Sequence, residues 1–163
     1  MGADAPSPIV LYGVHRVLLL LHAAGSLTLL FAATRHAVLV RRYLGGRFDD
    51  IAREKKWAKT VATAYVGTFC LGALLYPTYR YHVRGLYLDR HAPVFAGLFD
   101  VKESYASLTL VVAVALGALA LTLRPAEERW LVPVYAAMSA LVCAVVWLDA
   151  SIGILVVVVG GIG

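Results

Sequence analysis

Long apolar runs separated by short polar connections make up most of the chain, and four of them are long enough to cross a bilayer. A hydrocarbon core of about 30 Å needs about 20 helical residues at 1.5 Å rise. The runs predict helices over about 9–43, 60–76, 105–123 and 130–150. The first leaves the apolar run near Ala33 and continues to Tyr43. The second is expected to stop at Pro77, because the residue before a proline is pushed out of the helical region. The third ends at Arg124 and Pro125, and the fourth takes Pro133 in its first turn. Residues 1–163 are thus read as one all-α integral membrane domain, a four-transmembrane-helix bundle with an outward interfacial segment, 77–104, between helices 2 and 3.

Small residues four apart let helices approach closely. They occur at Ala24, Thr28 and Ala32, at Thr60, Ala64, Thr68 and Gly72, at Ala113 and Gly117, and at Ala136, Ala140 and Ala144. After Leu148 come Asp149 and then an apolar run from Ile154 to Val159. A span of about 20 residues from Leu131 places Asp149 at the outer interface, whereas a longer, tilted helix places it inside the membrane. The interface is the placement adopted, although it leaves the valine run beyond the bilayer.

Composition agrees with this class. The chain is 61% hydrophobic with a mean hydropathy of +0.77, outside the range of soluble domains. A net charge of +5 suggests nucleic acid in a soluble chain, but here the basic residues sit at helix ends, so no nucleic-acid partner is expected. Ten basic residues fall in the connections between helices 1 and 2 and between helices 3 and 4, against five on the opposite side. Positive residues prefer the cytoplasm, which predicts an inner-membrane protein of bacterial type with both termini and the 77–104 segment on the non-cytoplasmic side. No Lys or Arg precedes the first apolar run, so helix 1 is read as retained, and Pro6 stands where a myristoylation signal needs Ser or Thr. Cys70 and Cys143 lie alone in apolar runs and read as small core residues.

The chemically varied stretch is Leu75–Tyr105, where Tyr76, Tyr79, Tyr81 and Phe99 alternate with Arg80, His82, Arg84 and Arg90. Such residues suit the headgroup region as short helices, broken at Gly85 and Pro93, or a surface for lipid, quinone or a partner protein. An outer polar cluster is expected from Arg16, Arg80, Arg84, Asp100, Lys102, Glu103 and Asp149. Charges at this depth should pair, Arg16 with Asp149 and Arg80 or Arg84 with Asp100 or Glu103. Asp100, Lys102 and Glu103 are placed just before helix 3, where carboxylates favour the dipole.

His15, His22 and His36 are seven and fourteen residues apart and share one face of helix 1. The fourteen-residue interval resembles the spacing by which membrane b-type cytochromes hold two haems, each completed by a histidine on another helix. That resemblance implies a redox subunit binding b haem or quinone. Helices 2, 3 and 4 carry no histidine, which leaves His22 with Met138 as one ligand pair and His15 with His82 or His91 as a second. The simpler reading of His22 is a neutral imidazole bonded to a neighbouring helix.

No catalytic motif is present in the chain: no phosphate loop, HExxH or serine elbow. The piece Gly45–Lys59 reads as a short amphipathic helix on the inner bilayer surface. The leading functional expectation is a non-catalytic accessory or anchor subunit whose outward segment meets a membrane-protein partner or lipid. The alternatives are the redox subunit and a small proton-coupled transporter using an Arg16–Asp149 pair.

Overall fold

The computed structural model describes residues 14–161, which are helical almost throughout with no strand among them. Helix α1 covers His15–Leu44, α2 Ile51–Thr78, α3 Asp89–His91, α4 Pro93–Thr122 and α5 Val132–Gly161. A π-helical segment, Tyr79–Leu88, joins α2 to α3, and a 3-10 turn, Arg129–Leu131, leads into α5. Four spans are long and apolar enough to cross a membrane: His15–Leu44, Ile51–His91, Pro93–Thr122 and Arg129–Val159. The chain is a four-helix integral membrane bundle. Its two short connections form one end, the basic end, and the α2–α4 hairpin forms the other.

Helix α1 packs on α2 and α5, and α4 packs on the same two, so the order around the bundle is α1, α2, α4, α5. Buried positions recur at alternating intervals of three and four residues. They are Leu29, Ala33, His36, Val40 and Tyr43 on α1, and Glu54, Ala58, Val61, Tyr65 and Thr68 on α2. Helix α4 contributes Thr109, Ala113, Leu116 and Ala120, and α5 contributes Val132, Tyr135, Ser139, Val142 and Val146. A mean spacing of 3.5 is the seam of helices that wind around one another left-handed. Leu20, Leu27, Leu108, Val111 and Val157 point outward, as they should where lipid is the solvent.

Of the expected small-residue ridges, Ala32, Thr68, Ala113 and Gly117 lie in helix contacts, whereas Ala24, Thr28, Ala140 and Ala144 are exposed. A Cβ on Gly117 would stand 2.6 Å from the Cβ of Ala62, and one on Gly25 would stand 2.7 Å from Thr68 Oγ1. At those two places α4 and α1 approach α2 more closely than a side chain allows.

Several boundaries differ from the sequence expectation. Helix α2 begins at Ile51, not near Thr60, so Gly45–Lys59 is not a separate surface helix. Burial of Glu54 and the edge contact of Trp57 with Phe31 hold that turn upright against α1. Pro77 does not end the helix: the chain continues through it and winds as a π-helix past Gly85 to Leu88. The π winding gives the backbone groups beyond the proline new partners, which lets the helix continue.

Pro93 does mark a break, at the first position of α4 after the turn at Ala92. Asp100, Lys102 and Glu103 therefore lie inside α4, two turns or more from its start, and do not cap it. Helix α5 continues to Gly161, so Asp149 is interior to the helix and not at its end. The valine run is covered only in part, with Ile154, Leu155, Val157 and Val158 exposed. Ile152 and Val156 join Leu88 and Ala96 in a second apolar core under the hairpin, beside the stacked rings of Tyr79 and Phe99, 3.8 Å apart. The expected start of helix 1 at Ile9 lies outside the described residues.

Candidate functional site

Two polar levels interrupt the apolar interior. The first lies at the basic end, where α1, α2 and α5 meet. His36, Glu54, Tyr135 and Ser139 occupy successive seam positions, and none is more than 2% exposed. His36 Nε2 lies 2.7 Å from Glu54 Oε1 and 3.1 Å from the Tyr135 hydroxyl. A carboxylate oxygen only accepts, so Nε2 carries a proton and donates to Glu54. The Tyr135 hydroxyl donates to the same oxygen, and Tyr43 donates to Oε2 at 3.4 Å. On the far side of the imidazole, Ser139 Oγ stands 2.8 Å from Nδ1. Its hydroxyl completes the ring in either state, donating to a bare Nδ1 or accepting from an Nδ1–H.

Serine, histidine and glutamate in hydrogen-bond sequence resemble the parts of a hydrolytic triad, but here the serine is enclosed. With Ser139 2% exposed and the carboxylate saturated by three donors, the arrangement fastens helices and offers no reacting atom to a substrate.

The second level lies fourteen residues along α1, about 21 Å away. His22 Nδ1 is 3.0 Å from the carbonyl of Thr68, so Nδ1 bears the proton, and Gly72 leaves room for the ring: a Cβ there would come within 3.2 Å of it. Lys102 reaches across from α4, with its Nζ 5.1 Å from the Phe99 ring centre and its Cε near Gly153 of α5. Lys102 makes no ion pair with Asp149. Asp149 is half-buried, with Oδ1 shut off and without a hydrogen-bond partner, as is Thr68 Oγ1. Tyr65, whose hydroxyl donates to the Ala106 carbonyl at 3.1 Å, comes from α2. Each of the four spanning helices thus contributes a titratable side chain, His22, Tyr65, Lys102 or Asp149, to this end of the bundle.

The structure brings together only part of the expected outer cluster. Arg84 grips Asp100 through two bonds of 2.5 and 3.0 Å and approaches Asp89 at 3.5 Å. Glu103 feels Lys102, Arg84 and Arg80 without a direct ion pair among the described residues. Arg16 makes no ion pair with Asp149, and Lys102 is the cation whose charge bears on Asp149, without an ion pair between them.

His22 and Met138 are not brought together. Met138 borders the main core next to Ser139, at the level of His36, about 20 Å of helix from His22. A haem held by that pair does not fit this arrangement. His15 opens α1, His82 lies in the π segment, and His91 stacks on Tyr87 while its Nδ1 meets the Tyr87 carbonyl at 3.1 Å.

Sequence reasoning missed Glu54, Tyr135 and Ser139. Glu54 reads as one charge among several in Arg53–Lys59, but it begins the series 54, 58, 61, 65, 68, and that spacing is the signal that turns it inward. The same series on α5, extended from Val146, passes through Asp149. No protein-family model, no curated protein and no solved structure matches the chain.

Proposed function

We propose that this chain is a non-catalytic accessory or anchor subunit of a bacterial-type inner membrane, whose 77–104 hairpin contacts a membrane-protein partner or lipid headgroups. The observation that supports this reading is the hairpin itself. It is an ordered helical extension with its own small core and the Arg84–Asp100 clamp, yet Tyr81, Leu86 and Val94 remain exposed on it. An apolar surface held rigid in this way is suited to contact. Photo-crosslinking residues placed at Tyr81 and Val94 in intact cells test it. A discrete protein or lipid adduct supports the reading, and yields no higher than those from Asp49 in the basic loop overturn it.

The proton-coupled carrier is a second reading, favoured by the unpartnered Oδ1 of Asp149 within the apolar span Arg129–Val159, with Lys102 in the role given to Arg16. Proteoliposomes loaded with a pH dye should show a proton flux that Asp149→Asn abolishes. Absence of flux in the wild type removes this reading.

A further inference from the structure

A hollow of about 300 Å³ opens at the basic end between the end of α1 and the start of α5, lined chiefly by Tyr43, Leu44, Phe48, Arg129, Val132 and Pro133. Its walls mix apolar side chains with the Gly45–Gly46 backbone and the Arg129 guanidinium. The Tyr43 ring contributes to them, but its hydroxyl is turned away onto Glu54. Arg129 is the charged group among the lining residues. Its guanidinium stands 5.8 Å from the Phe48 ring centre, and it has no carboxylate within ion-pair distance among the described residues. Arg42, Arg53 and Arg124, at the same end, each have one.

Position and shape narrow the occupant. The hollow lies where the spans His15–Leu44 and Arg129–Val159 end, and Leu44, 57% exposed, forms its lip toward the lipid. An occupant needs an anionic group for Arg129 and a hydrocarbon portion that enters from the bilayer side. The volume is at the lower end of small-molecule sites, enough for a headgroup and the first chain carbons. We propose that this hollow binds the phosphate headgroup of an anionic phospholipid, with Arg129 on the phosphate and the Leu44–Val132 wall along the first acyl carbons. The site is independent of the hairpin reading, since it lies at the opposite end of the bundle.

Trp130, 75% exposed and adjacent to Arg129, supplies the probe. With Trp57 and Trp147 replaced by Phe, the full chain is reconstituted in phosphatidylcholine vesicles containing brominated phosphatidylglycerol or brominated phosphatidylcholine, and quenching of Trp130 gives the relative affinity. The anionic lipid should be preferred about fivefold, the weight of one arginine at a membrane surface. Arg129→Gln should bring the ratio close to one, with an unchanged melting temperature because the side chain is exposed. Arg47→Gln removes the same charge from the neighbouring loop without touching the hollow and should keep the preference. Equal quenching by the two lipids in the parent protein overturns the proposal. So does an equal loss in Arg47→Gln and Arg129→Gln, which marks a diffuse surface attraction. No quenching by either lipid, with a crosslinked dimer, assigns the hollow to a second copy and also overturns it.

Discussion

At Glu54 three donors from two neighbouring helices converge on one carboxylate, and that convergence makes it the most demanding residue in the bundle. Removing one member of a buried ionic group leaves the others desolvated and unpaired, at a cost of about 3–5 kcal/mol. Glu54→Ala should lower stability by that amount in detergent unfolding. Ser139→Ala, which deletes one hydrogen bond on the other face of the imidazole, should cost about 1–1.5 kcal/mol. The double variant His36→Ala with Glu54→Ala should cost less than the two single changes together, because the pair fails as a unit. Equal small losses for Glu54→Ala and Ser139→Ala would show that the carboxylate is not enclosed as described. None of these partners was legible in sequence, where Glu54 stands among lysines and Tyr135 and Ser139 in an apolar run. His36, by contrast, was singled out by its spacing, although for haem chemistry and not for this network.

Among the elements, α2 and α4 approach closely at Gly117. A methyl group there meets Ala62 at 2.6 Å, a separation that two packed helix faces relieve only by moving apart. Gly117→Ala should therefore destabilise the bundle by about 1–3 kcal/mol, the usual cost of overpacking. The same substitution at Gly67, where a Cβ meets nothing within 4 Å, should be harmless or mildly stabilising. The hairpin responds differently. The Arg84–Asp100 clamp is partly exposed, so Asp100→Asn should change global stability by less than about 1 kcal/mol. Hydrogen exchange over residues 79–91 should nevertheless accelerate, since the clamp ties the π segment to α4. Unchanged exchange there would mean that the Leu88–Ala96–Ile152–Val156 core holds the hairpin without it.

At the scale of the whole molecule, the asymmetry of ten basic residues at one end against five at the other predicts that the basic end is cytoplasmic. Single cysteines at Asp49 and at Asp89, in a background lacking Cys70 and Cys143, should react oppositely with a membrane-impermeant maleimide, Asp89→Cys being labelled from outside. Labelling of Asp49→Cys from outside would invert the topology. Helix number and membrane class were set by the sequence alone, because length and apolarity are properties of a run of residues and need no partner. The break at Pro93 and the helical start around Pro133 were local in the same way. The tertiary structure decided what depends on neighbours. It carried α2 through Pro77, because the π winding keeps the backbone bonded past the proline and Leu88 packs on Ile152 and Val156. It kept Asp149 inside α5, because Ile152 and Val156 beyond it pack on Leu88 and Ala96 of the hairpin. It also selected which charges meet, Glu54 with His36 and Arg84 with Asp100, because only the packed helices bring those positions to a common level.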